Sequence, residues 1–108
     1  MTDVICHVAI ADDWEMSRGF GEYEVSTRGV PLDADGYVRA TTPDRVDAVV
    51  AGRYADLALP LLRIDLSVAA LAAAGVRVEW VDGQPRIRGA VPMDPDVVLS
   101  ETPVVRKS

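Results

Sequence analysis

This chain is poor in the residues that usually advertise a function. Its 108 residues include one cysteine and one histidine. A single cysteine forms no internal disulfide and no cysteine-rich zinc site, so a reducing, cytoplasmic setting is expected. With one histidine besides, sites for soft metals have no ligand set, and no metal is assigned. Long hydrophobic runs are missing too: no stretch approaches the roughly 20 apolar residues of a membrane helix. Met1-Thr2-Asp3 is acidic and the apolar run after it is short, so no signal peptide is read there. Basic charge is in deficit, with 11 Lys+Arg against 17 Asp+Glu and a net charge of -6. Nucleic acid and anionic membrane surfaces need a basic face, so neither is an expected partner. A small local basic pocket remains compatible with that total. The chain has no P-loop, no G-x-G-x-x-G after a strand, no G-x-S-x-G elbow and no H-E-x-x-H.

What is present is ordinary for a folded chain. Hydrophobic residues make up 49%, which argues against disorder and fibres. The length suits one domain, residues 1–108, burying roughly 65% of its unfolded surface. Its core is expected over about residues 4–99, with a frayed tail at 100–108.

Val4 to Ile10 is a short apolar, partly β-branched run and predicts a buried strand. Asp12 is a candidate cap for a short helix, with Glu15 reaching back in a capping box and Gly19 and Gly21 ending it. Residues 26–36, including Gly29, read as loop. Tyr37 to Thr41 alternates and predicts a strand. Thr42-Pro43-Asp44 is a helix start with proline at the first position, and Val46, Val49, Val50 and Tyr54 follow at helical spacing. Leu57 to Ile64 predicts a central strand ended by Asp65, with Pro60 disturbing its first half. Ser67 caps a short Ala/Leu helix stopped by Gly75. Val76 to Val81 alternates, Asp82-Gly83 is a hairpin signal, and Arg86-Ile87-Arg88 returns. Val97 to Leu99 is a last strand. Strands and helices mix without βαβ alternation. The expectation is an α+β domain with a bent, mostly antiparallel, split sheet and two or three short helices.

Few side chains suggest chemistry. His7 lies inside a predicted strand, where a histidine held in the core by a backbone bond is the commoner case. Cys6 reads as a small buried hydrophobe rather than a nucleophile. Arg39, Arg86 and Arg88 sit in predicted strands, and the two-residue strand period puts Arg86 and Arg88 on one face. Such arginines bind an anion in bidentate fashion, or they form a solvated face paired with carboxylates. Thr41 and Thr42 serve a helix start, where free N–H groups also favour anions. Trp14 and Trp80 are core or rim aromatics.

The order of segments carries more information than any one of them. It runs through Ile5-Cys6-His7-Val8-Ala9, Asp13-Trp14, Gly21-Glu22-Tyr23, Asp35-Gly36-Tyr37-Val38 and Thr41-Thr42-Pro43-Asp44-Arg45-Val46. It continues through Leu61-Leu62-Arg63-Ile64-Asp65, Val78-Glu79-Trp80 and Pro85-Arg86-Ile87-Arg88-Gly89. This set, spanning about residues 4–99, resembles a bacterial family called domain of unknown function 952. The resemblance implies a compact ADP-ribosyltransferase-like fold, a split, bent sheet with a cleft between its halves. Larger relatives of that fold bind NAD there, so NAD enters as a cofactor by fold analogy only. Where the family pattern reads Phe-Ile-His-Cys-Ser-Thr, this chain has Tyr37-Val38-Arg39-Ala40-Thr41-Thr42. Where it reads Pro-His-Ile-Tyr-Gly, this chain has Pro85-Arg86-Ile87-Arg88-Gly89. Of three family histidines, His7 alone keeps its place.

Arginine is no general base, so these replacements exchange titrating groups for permanent positive charge. The expectation is a cleft for a small anionic molecule in a cytoplasmic protein, either a small enzyme of specialised metabolism or a binding protein. Arg39, Arg86 and Arg88 would clamp the anion, Thr41 and Thr42 would add contacts, and Trp14 and Tyr23 would wall the pocket. His7 would orient the ligand or transfer a proton. A non-catalytic interaction module with a degenerate site is the alternative. NAD-dependent ADP-ribosyl transfer ranks below both, since no Glu matches the catalytic one of that superfamily. The oligomeric state is not readable from the sequence.

Overall fold

The structure, a computed structural model, describes residues 3–27 and 30–105. Gly29 of the expected loop and residues 106–108 of the expected tail lie outside the described residues. In chain order the elements are β1 (Val4–Ile10), α1 (Ala11–Ser17), β2 (Glu22–Tyr23), β3 (Val25–Thr27), β4 (Val30–Pro31), α2 (Leu32–Asp35) and β5 (Val38–Arg39). They continue with α3 (Val46–Arg53), β6 (Leu61–Ser67), α4 (Val68–Ala73), β7 (Val78–Val81), β8 (Gln84–Ile87), β9 (Val91–Pro92) and β10 (Val98–Pro103). Short 3-10 turns, Arg18–Phe20 and Pro43–Arg45, follow α1 and precede α3. The protein is α+β, with four short α-helices among the described residues where two or three were expected.

β1 is buried on both faces, which explains its apolar run around His7. It pairs antiparallel with β6 from Val4↔Ser67 to Ile10↔Leu61, and β10 covers the other edge of β6. β6 is therefore central, as expected, but it starts four residues later than the sequence suggested. Proline lacks the N–H a ladder needs, so the strand begins just after Pro60, whose carbonyl accepts the Ala11 N–H instead. Asp65 does not end the strand either. Its carboxylate accepts bonds from Cys6 at 3.2 Å, Arg63 at 2.9 Å and Ser100 at 3.0 Å. Burial works to raise the Asp65 pKa, and these bonds overcome it and hold it below the usual carboxylate value.

A second sheet has the order β5-β8-β7. Its β7–β8 hairpin closes through Asp82 and Gly83, both with positive φ (52° and 78°), as a two-residue type I′ turn requires. One antiparallel bridge, Cys6↔Thr41, joins the two sheets, with N–H···O bonds of 2.8 Å in both directions. Both sheets feed the main core: Ile5, Ile64 and Leu66 from the first, Val38 and Ile87 from the second. A smaller cluster, Cys6, Val8, Val46, Tyr54 and Leu61, lies between β1 and α3.

Local expectations fared unevenly. Ser67 does cap α4, accepting the Ala70 N–H at 3.1 Å, and Pro43 opens the turn before α3. The Asp12–Glu15 capping box does not form. α1 starts at Ala11 with Ile10 at the cap, so Asp12 and Asp13 lie in its first turn, where they complement the dipole. Glu15 binds Arg18 instead. The segment read as loop contains β3, β4 and α2. The tail also departs from expectation, since β10 runs to Pro103 and Val104 packs against the smaller cluster. Among the described residues, no helix is long and apolar enough to cross a membrane.

Candidate functional site

The single bridge between the sheets leaves a gap beside it. Splayed there, the sheets and α3 enclose a cleft of about 560 Å³. Its floor is Cys6, His7 and Val8 of β1 with Ala40 and Thr41. One wall is α3 with the turn before it, where Arg45 of the turn and Ala48, Val49, Gly52 and Arg53 of the helix line the cleft. Those positions follow the helical period and form one stripe. The other wall is the second sheet, through Tyr37, Arg39, Gln84, Pro85, Arg86 and the hairpin tip Val81-Asp82.

Four of the lining residues are arginines and one, Asp82, is a carboxylate. The excess is local, because the chain as a whole carries -6. Arg39 and Arg86 are cross-strand partners, and directly opposed side chains share a face. Both guanidinium groups lie against the Tyr37 ring, Arg86 at 4.4 Å and Arg39 at 5.3 Å from its centroid. Asp35 steadies Arg39 with a 3.2 Å contact to Nε and itself accepts the Ser26 hydroxyl at 2.7 Å. The Ser26 bond, the Arg39 bond and the charge of Arg53 together hold the Asp35 carboxyl below its ordinary value against partial desolvation. Arg53 thus belongs to the same end of the cleft. Arg45 lies eight residues before it, about 12 Å away along a helical axis.

His7 lines the cleft, yet it is 2% exposed and fully engaged. Nδ1 lies 2.6 Å from the Arg39 carbonyl and Nε2 2.9 Å from the Tyr23 hydroxyl. A carbonyl only accepts, so the proton sits on Nδ1, and the Tyr23 O–H donates to Nε2. Burial lowers the His7 pKa to about 4, against a smaller upward pull from the Arg39 carbonyl. The imidazole is neutral at pH 7. Cys6 is equally unsuited to attack: burial, then the bond to Asp65, pushes its thiol up to about 12.

Of the residues singled out in the sequence, His7, Arg39, Thr41 and Arg86 come together at the cleft. Thr41 is buried and donates to Gln84 Oε1 at 3.1 Å. The others stand elsewhere. Thr42 hydrogen-bonds the Asp44 carboxyl. Arg88 lies past the end of β8, exposed, with its N–H on the Arg77 carbonyl. Trp14 and Tyr23 are core residues rather than cleft walls, their rings in tilted contact with centroids 4.8 Å apart. Large rings shed the most apolar surface by entering the core, and Tyr23 meets the site only through His7. The Trp14 indole nitrogen is buried with no hydrogen-bond partner among the described residues. Sequence reasoning missed Tyr37, Arg45, Arg53 and Gln84. The helical spacing of 45, 48, 49, 52 and 53 was the available signal for the α3 wall. Among the described residues, no group of three or more His, Cys, Asp or Glu is arranged to hold a metal ion.

The class defined by this architecture is a small α+β protein with two three-stranded antiparallel sheets splayed around a cleft. No protein-family model matches the chain, and no curated protein matches it. The fold is similar to the crystal structure of protein CC0527 from Caulobacter crescentus, with a TM-score of 0.76 and 16% identity over 97% of this chain and 89% of that one. A double mutant of that protein superposes with a TM-score of 0.76 at 15% identity over the same shares. At this identity the likeness is one of fold alone.

Proposed function

We propose that the cleft binds a small anionic molecule, in a diverged cytoplasmic member of the domain of unknown function 952 family with an ADP-ribosyltransferase-like split sheet. The observation that carries this reading is the gathering of Arg39, Arg45, Arg53 and Arg86 on one cavity of an acidic chain. Arginine keeps its charge at any working pH and offers bidentate geometry to carboxylate or phosphate. Tyr37 and Asp35 hold two of the guanidinium groups in advance, which reduces the ordering that binding must impose.

Holding a ligand fits the lining better than acid/base chemistry does. His7 is neutral with both nitrogens engaged, Cys6 is a protonated thiol, and no Glu is among the described lining residues. ADP-ribosyl transfer by a cleft glutamate therefore finds no support. The role proposed for His7 is to fix the Arg39 backbone, and with it the clamp.

Thermal shift and calorimetry test the proposal, using phosphate, pyrophosphate, simple carboxylates, nucleotides, ADP-ribose and NAD at low ionic strength. A true ligand at a hundredfold excess over its dissociation constant stabilises by about 2.7 kcal/mol. Arg86→Ala and Arg39→Ala are each expected to weaken binding roughly tenfold or more, the worth of one charge-assisted bond. Absence of any shift with every anion, together with no effect of either substitution, would overturn the proposal.

A further inference from the structure

The polar groups of the cleft floor are already taken. The Cys6 thiol donates to Asp65. The two His7 nitrogens are held by the Arg39 carbonyl and the Tyr23 hydroxyl. The Thr41 hydroxyl donates to Gln84, and the Tyr54 hydroxyl donates to the Val8 carbonyl at 3.0 Å. Each of these residues turns its polar atoms toward a protein partner. These side chains are at most 2% exposed, so they offer a ligand almost no polar surface. The α3 wall is similar between its two end arginines, with Ala48, Val49 and Gly52 in the middle.

Gly52 adds a second, independent observation. It lies inside a helix with no positive φ, and a Cβ built on it meets nothing within 4 Å. Neither backbone conformation nor close packing requires glycine there, although glycine weakens a helix relative to alanine. Gly52 lines the cleft and is exposed, so a large side chain there takes up room beside α3.

We infer that the ligand is an amphiphile: a carboxylate or phosphate head at Arg39 and Arg86, with an unsubstituted hydrocarbon or aromatic body along α3. Ala48 and Gly52 set the bulk that the body can have. The inference rests on the anion-binding reading above and narrows it. A sugar-bearing anion is disfavoured, because most of its hydroxyl groups would be buried against a floor whose polar atoms are already bonded, leaving wall groups such as Asp82 and Gln84 to pair them. A buried polar group left unpaired costs more in recognition than one additional hydrogen bond contributes. Carboxylate and phosphate heads share the same recognition by guanidinium, so the test carries both.

The experiment is calorimetry on the full chain with straight-chain carboxylates from acetate to octanoate, the matching alkyl phosphates, inorganic phosphate and ribose 5-phosphate. Affinity should rise roughly fourfold per added methylene over the first several carbons. The carboxylate and phosphate series identify the head group by which of them binds tighter at equal length. Hexyl phosphate should exceed ribose 5-phosphate at least tenfold. Gly52→Leu should cut octanoate and octyl phosphate binding at least tenfold and reduce acetate and inorganic phosphate binding far less, with an unchanged circular dichroism spectrum and a cooperative melt as the fold control. Arg86→Ala should weaken every member of both series. Equal binding of short and long chains, or parity between ribose 5-phosphate and hexyl phosphate, overturns this inference and leaves the anion site standing. Unchanged octanoate and octyl phosphate binding in Gly52→Leu overturns it too. If neither inorganic phosphate nor any carboxylate or alkyl phosphate binds, the anion site itself fails and the inference fails with it.

Discussion

Acid should destabilise this protein in a pH window that belongs to one residue. His7 is the sole histidine. In the folded chain burial lowers its pKa from an ordinary 6.5 to about 4. Between those values the unfolded chain binds a proton that the native chain refuses. Stability is therefore complete above about pH 7, falls as pH drops through 6.5, and levels off below the folded value. The interval corresponds to about 3 kcal/mol in full, of which about 2 kcal/mol should be lost between pH 7.5 and pH 5. That is a large share of the 5–15 kcal/mol, roughly, that holds a domain together. Carboxylates add their own losses only at lower pH. Glu15, Asp35, Asp44 and Asp65 all sit below their usual values, so their losses set in from about pH 5 downward, as pH falls toward the ordinary values of 4.5 and 3.8. Urea denaturation at half-unit steps from pH 7.5 to 4.5 measures the slope. NMR of the imidazole carbons in the native state measures the cause directly. A His7 resonance that titrates near 6.5, or a stability flat across this window, would refute the account of a neutral imidazole locked between Tyr23 and the Arg39 carbonyl.

Three further outcomes follow from the same structure. Cys6 should resist a thiol reagent in the native protein at pH 8 and react at once in denaturant, since burial and Asp65 keep it protonated; fast labelling of the folded chain would contradict this. Ser67→Ala should lower stability by about 1 kcal/mol in chemical denaturation, the usual worth of an N-cap, by orphaning the Ala70 N–H. Gly52→Ala should raise stability by roughly 0.5–1 kcal/mol in thermal melts, because the new methyl enters open space on a regular helix; a lower melting temperature would mean the site is tighter than described.

The arginines illustrate how charge totals mislead. A net charge of -6 argues against a broad basic face, yet four arginines converge on one cavity. They come from a two-residue strand, a 3-10 turn, a helix end and a hairpin strand. Their distances in sequence hide the convergence, and the Tyr37 ring between Arg39 and Arg86 is the physical link between two of them.

Several features were legible along the chain because their causes act within a few residues. The β1 strand follows from a run of apolar side chains, the Asp82-Gly83 hairpin from two residues that tolerate positive φ, and the start of α4 from a serine three residues before the amide it caps. Pro43 likewise sits where a missing N–H does no harm. Other features had no local cause to read. Cys6 meets Thr41 across 35 residues, His7 meets Tyr23 across 16, and Asp65 is sustained inside β6 by Cys6 and Ser100 from two other strands. Tyr23 and Trp14 were assigned to a pocket wall, and the core claimed them because it buries more of their surface. Local dihedral preferences and caps are written residue by residue, whereas which polar atoms are satisfied, and which cavity is left lined by arginine, depends on long-range pairing that no short window of sequence contains.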